Sequence, residues 1–188
     1  MTPDKQLPLF LPDRNILQIG SGNKYHRDAV NIDLVGSTLP DIVHNLDTLP
    51  WPLPSDRFRE VWAYDVVEHL DDIVATMEEI HRVCVDGALV KITVPHYSSS
   101  NTFTDITHRH QFSSASFDYF TGDNEHDFYS SCRFRKATSN IVFHPNLLNK
   151  LVRRCANKYP SRYERRWAWI FPAWFLYFEL IVLKPPAD

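Results

Sequence analysis

Short apolar runs separated by polar segments bearing glycine or proline recur through the first half of the chain, and this spacing sets the expectation for the fold. Asn15-Ile-Leu-Gln-Ile19 runs straight into Gly20-Ser21-Gly22, the pattern of a buried strand entering a glycine turn. Ala29-Val-Asn-Ile-Asp33 predicts a second strand closed by an acid, and Asp41-Ile-Val-His44 a shorter third. Three prolines between Thr48 and Ser55 forbid regular structure there, so that segment reads as a loop. Phe58 to Val67 supplies a fourth strand. From Asp71 to Cys84 the apolar positions Ile73, Met77, Ile80 and Cys84 recur at three- and four-residue steps, opposite Glu78, Glu79 and Arg82. That is an amphipathic helix capped by Asp71 or Asp72, with Gly87 expected to end it. Ala88 to Val94 is the fifth strand, stopped by Pro95.

The second half is less periodic. Ser113 or Ser114 is placed to cap a short helix through Tyr119; Phe128 to Phe143 reads as strand, Asn146 to Asn157 as helix and Tyr177 to Leu183 as a final strand. Strands alternating with connecting segments give an α/β class: a Rossmann-like, mostly parallel sheet with an antiparallel final strand and helices on both faces. We expect one domain over residues 1–188, with 1–14 an irregular lead-in and 98–176 carrying the substrate-side insertions. Sheets of this kind bind ligands beyond the carboxyl ends of their strands.

Composition narrows the function. The 188 residues are 44% hydrophobic and 23% charged, as in a packed globular protein. Twenty Lys plus Arg against 23 Asp plus Glu leave a net charge of −3, which disfavours a nucleic-acid partner. Cys84, Cys132 and Cys155 are odd in number and free of CxxC spacing, which points to reduced thiols and a cytoplasmic location. Trp167 to Leu183 is the one membrane-like stretch, but Pro172 and Glu179 interrupt it, so a helix end followed by a buried strand is expected and no transmembrane segment.

The candidate chemistry begins at the glycine turn. Gly20 and Gly22 allow a sharp bend and let a ligand approach backbone N–H groups, and Asp33 at the next strand end can accept from a ribose diol. Either feature alone is also an ordinary turn with a capping acid. In dinucleotide sites the acid lies about 20 residues beyond the fingerprint, whereas Gly20 to Asp33 is only 13 positions and no third glycine follows. A nicotinamide-dependent oxidoreductase is thereby disfavoured.

The succession LQIGSG, VNID, NLDTLPWPLPSDRF, AYDVVEHL and EEIHRVCVDGALVKITVP resembles the class I S-adenosylmethionine-dependent methyltransferases, in a small type-11-like form, over residues 15 to 95. The resemblance implies S-adenosylmethionine as cofactor. It places Gly20, Ser21 and Gly22 beneath the methionine part, Asp33 with Leu34 at the ribose, Leu46 and Asp47 beside the adenine, and Tyr64 and Asp65 near the sulfonium, with His69 behind them. The sequence departs from that pattern in its missing third glycine and in a first crossover too short for a full helix. A noncatalytic cofactor-binding module or partner subunit is therefore a rival to an enzyme.

Asp105-Ile-Thr-His108-Arg-His110 follows the fifth strand, where a substrate would meet the cofactor. His108 or His110 could take a proton from an acceptor hydroxyl, or both could simply brace the loop. A metal site from Asp105, His108 and His110 is a remote alternative, and none is expected. Tyr159 to Trp174 mixes Arg162, Arg165 and Arg166 with aromatics, a composition suited to a sugar, glycolipid or sugar-phosphate acceptor and to peripheral membrane contact, and equally to packing with a solvated basic face.

Overall fold

The computed structural model describes residues 14–122 and 130–185, which build a seven-stranded sheet in the order β3-β2-β1-β4-β5-β7-β6. β1 (Ile16–Ile19), β2 (Ala29–Asp33), β3 (Ile42–Val43), β4 (Phe58–Tyr64) and β5 (Cys84–Pro95) pair in parallel. β7 (Phe175–Leu183) is inserted antiparallel between β5 and β6 (Arg133–Val142). This is the Rossmann-like, mostly parallel sheet with an antiparallel last strand that the apolar spacing predicts. Chain order reverses between β1 and β4, which opens a crevice at their carboxyl ends.

The helices are α1 (Ile73–Val83), α2 (Asn101–Thr104), α3 (Leu147–Lys158) and α4 (Pro160–Arg166). They cover the sheet unequally. On one face Leu17, Val61, Val90 and Phe178 are fully buried in a core shared with Met77, Ile80 and Val83 of α1. On the other face Gln18, Trp62, Lys91 and Glu179 stand in register across β1, β4, β5 and β7. Most of that polar row is paired: Glu60 accepts from Lys91 and from the Trp62 indole, and Glu179 from Tyr177 and Thr138, while the Gln18 side-chain oxygen has no partner among the described residues. Burial of the apolar face supplies the driving force, whereas the partly exposed ion pair adds little.

Several boundaries differ from the sequence expectation. β4 stops at Tyr64 instead of Val67, because Asp65 adopts φ +53° and Val67–His69 forms a 3-10 turn. Asp72 caps α1, its carboxylate accepting from the Ala75 N–H. Gly87 does not end that helix. β5 begins at Cys84, directly after Val83, and Gly87, at φ +74°, lies where the pairing of β4 with β5 shifts register. Neither Ser113 nor Ser114 is the N-cap: the 3-10 turn Ser116–Phe120 follows Ala115, whose N–H donates to Ser113 Oγ. β6 starts at Arg133, and the Phe128–Tyr129 part of the expected strand lies outside the described residues. Asn146 caps α3 through the Asn149 N–H, and β7 starts two residues early, at Phe175. No helix among the described residues is long and apolar enough to cross a membrane.

Candidate functional site

The bend after β1 is held to β2 by the Gly20 N–H, which donates to the Ile32 carbonyl at 2.9 Å. Both glycines are left-handed, Gly20 at φ +63° and Gly22 at φ +47°. Their surroundings differ. A Cβ on Gly20 would lie 2.3 Å from a Val66 methyl, whereas one on Gly22 would meet nothing within 4 Å. Between them Ser21 is buried, and its hydroxyl has no hydrogen-bond partner among the described residues. Asp33, buried at the end of β2, accepts from the Gly22 N–H at 2.7 Å and the Val35 N–H at 2.8 Å. Its carboxylate thus ties two strand-end loops together, while Leu34 beside it is 62% exposed. No helix lies between β1 and β2; the Gln18 and Asn31 side chains hold that short crossover through the carbonyls of Lys24 and His26.

The proline-rich loop is anchored from beneath. Trp51 is 2% exposed; its indole donates to the Leu46 carbonyl, and its backbone N–H to Glu79 of α1. Arg82 pairs with Glu79 and donates to the Trp51 and Leu53 carbonyls. Leu46 is therefore a core residue, and Asp47, next to it, accepts from the Asp71 N–H at 2.8 Å.

A cleft of about 1040 Å³ opens at the ends of β4 and β5. Tyr64, Asp65, His69, Asp105 and His108 line it, together with Lys24, Glu68, Thr93, Trp174 and Phe175. Asp65 is held by Thr93, whose hydroxyl donates to it at 2.9 Å, and faces Lys24 at 3.9 Å. The loop carrying Asp105 and His108 docks on the 3-10 turn: the N–H groups of Arg109 and His110 donate to the Glu68 carbonyl, and Arg109 pairs with Asp71.

The titrating groups of this loop have distinct environments. The Thr107 hydroxyl and N–H both donate to Asp105, which holds that carboxyl below its ordinary range. Burial, reinforced by the charges of Asp65 and Asp105, pushes Glu68 up to about 8. Thr107 has one hydroxyl proton and gives it to Asp105, so at 2.9 Å it accepts from His69 Nδ1–H. His108 Nδ1 likewise faces the Thr102 carbonyl at 3.3 Å, which can only accept. In their neutral forms both imidazoles thus present an unprotonated Nε2.

His110 is placed differently from the sequence expectation. Its Nε2 donates to the Leu70 carbonyl at 2.9 Å, so it fastens the loop and is not among the cleft-lining residues. Among the lining residues the sequence did not single out are Lys24, Thr93, Asn101, Thr104 and Phe175, brought in by tertiary structure, whereas Trp174 closes the aromatic segment the sequence marks. Glu68 had a local signal, an acid within Val66-Val67-Glu68-His69-Leu70 with apolar neighbours that bury it.

No protein-family model and no curated protein matches this chain. Solved structures do. An S-adenosylmethionine-dependent methyltransferase from Archaeoglobus fulgidus superposes with a TM-score of 0.62 at 15% identity, over 90% of this chain and 86% of that one. The fold is that of the class I methyltransferases. One from Mesorhizobium loti gives 0.56 at 14% identity, over 91% and 93%. The [4+2]-cyclase SpnF also gives 0.56, at 13% identity, over 90% and 75%. One fold thus carries more than one chemistry, and the activity must be argued from the site.

Proposed function

We propose that the chain binds S-adenosylmethionine and transfers its methyl group to an oxygen of a sugar, glycolipid or related small acceptor. The observation that carries this reading is the cradle at the switch point. Two left-handed glycines, an unpartnered Ser21 hydroxyl and the buried Asp33 carboxylate lie at the ends of β1 and β2, and the cleft lies at the ends of β4 and β5. These residues fit the cofactor: Gly22 has open space above it where a ligand can pass close to the backbone, and Ser21 has a hydrogen bond to give. Asp33 retains carboxylate lone pairs beyond the two it uses. Asp47 and Leu46 would flank the adenine, and Tyr64 and Asp65 the sulfonium.

Held by these residues, the cofactor would supply a methyl carbon on a cationic sulfur, with a neutral thioether as the leaving group. The chain's own task is alignment, in which placing two reactants in register is a large part of the rate. Asp65 provides negative charge beside the cation. Asp105, a carboxylate facing the cleft, takes the proton released by the acceptor hydroxyl. Trp174 and Phe175 give the cleft an aromatic wall on which a sugar ring can stack. Arg162, Arg165 and Arg166 of α4 line a second surface pocket, suited to a phosphate or lipid headgroup on the acceptor.

The test is methyl transfer from labelled S-adenosylmethionine to a panel of free, phosphorylated and lipid-linked sugars. Label incorporation lost in Asp105→Asn is expected. Cofactor binding without turnover on any acceptor would favour a noncatalytic module.

A further inference from the structure

Glu68 carries a buried carboxyl group that the methyl-transfer reading does not use. It is 1% exposed, and neither carboxylate oxygen has a hydrogen-bond partner among the described residues. A buried acceptor left unpaired is costly, and a buried carboxylate more so. Such a group calls for an explanation, and a bound ion is one that the neighbouring side chains can supply here. Two imidazoles stand beside it. One ligand atom from each of Glu68, His69 and His108 lies within 4.8 Å of the others. His108 Nε2 is 3.9 Å from Glu68 Oε1, too far for a hydrogen bond, and the two imidazole rings are 4.7 Å apart.

We propose that Glu68, His69 and His108 form a site for one divalent first-row transition cation in the wall of the cleft. Three features select this ligand. The Nδ1 hydrogen bonds of His69 to Thr107 and of His108 to the Thr102 carbonyl direct both Nε2 lone pairs away from the protein partners. Such outer hydrogen bonds, here continued from Thr107 to Asp105, orient metal-binding imidazoles elsewhere. Second, two imidazoles and one carboxylate suit zinc, manganese or iron in preference to magnesium or calcium, which favour all-oxygen sites. Third, ligand atoms at about 2.1 Å from one ion lie about 3 Å apart, so small side-chain rotations close the present set. Three protein ligands leave coordination positions open, and all three residues line the cleft. The use we assign to the cation, fixing an acceptor oxygen in the cleft, rests on the methyl-transfer reading. Its binding does not.

The experiment titrates untagged, chelator-treated full-length chain with Co²⁺, followed by its visible spectrum, and with Zn²⁺ by calorimetry. One equivalent with a micromolar or tighter Kd is expected, with Zn²⁺ displacing Co²⁺ and Mg²⁺ binding at least 100-fold more weakly. Glu68→Gln and His108→Gln should each weaken Zn²⁺ binding at least 100-fold, while His44→Gln, at a histidine that does not line the cleft, leaves it unchanged. Glu68→Gln keeps the side chain's size while replacing one candidate ligand oxygen with an amide nitrogen, and cooperative thermal unfolding of each variant shows that it is folded. Absence of binding, or full-strength binding retained in both variants, overturns the proposal. S-adenosylhomocysteine is titrated into the same metal-free preparation, so cofactor binding without a cation site, or the reverse, separates this inference from the functional one.

Discussion

The two glycines of the first bend should fail differently when replaced by alanine. Both have left-handed backbone, which costs a Cβ-bearing residue about 1–2 kcal/mol. At Gly20 the added methyl also lies 2.3 Å from Val66 Cγ2, and Val66 is itself buried in the core. Overpacking of that kind adds about 1–3 kcal/mol. Gly20→Ala should therefore lose roughly 2–5 kcal/mol of stability, and Gly22→Ala roughly 1–2. With a urea dependence near 2 kcal/mol per molar, the first midpoint falls by about 1–2.5 M and the second by no more than about 1 M. Cofactor affinity should not follow stability. Gly22 has open space beside it, so its new methyl intrudes where the ligand passes, and S-adenosylhomocysteine affinity should fall about tenfold or more, equivalent to 1.4 kcal/mol. Urea unfolding and calorimetry on both variants check this. Equal destabilisation by the two would refute the Val66 argument, and unchanged affinity in Gly22→Ala would remove the glycine bend from the binding site.

Other consequences follow from the same geometry. In metal-free protein Glu68 has its carboxyl raised from 4.5 to about 8, so the folded state binds the proton more tightly than the unfolded one. Its contribution is complete below pH 4.5 and is lost as pH rises toward 8; Glu68→Gln should flatten that decline and stabilise the chain at pH 8 by a few kcal/mol, read by chemical denaturation. Asp105→Asn should lower kcat about 100-fold or more with little change in cofactor Kd, since it removes the proton acceptor while an amide oxygen can still accept from Thr107. Trp51→Ala should cost about 3–5 kcal/mol in thermal or urea unfolding, because it empties a buried site and releases the proline-rich loop from α1.

How much of this was legible in the sequence depends on the range of the interactions concerned. β1, β2 and β5 are marked by apolar runs ended by Gly20, Asp33 and Pro95, and α1 by its period and its Asp72 cap, all local signals. Gly87 misled because a glycine after a helical pattern reads as a stop, whereas the pairing of Cys84 with Phe58 already imposes the strand. His108 and His110 are two residues apart and indistinguishable by type. The carbonyl of Leu70, 40 positions earlier, captures one, while the other stays beside Glu68. Trp174 and Phe175 reach the cleft only because β7 inserts beside β5, a pairing that no short window of sequence records.

Calorimetric titration of the purified chain with S-adenosylmethionine and S-adenosylhomocysteine tests the central claim most directly. Saturable one-to-one binding of both is expected, weakened in Gly22→Ala and in Asp33→Ala. Absence of heat with either ligand, in protein shown to unfold cooperatively, would contradict it.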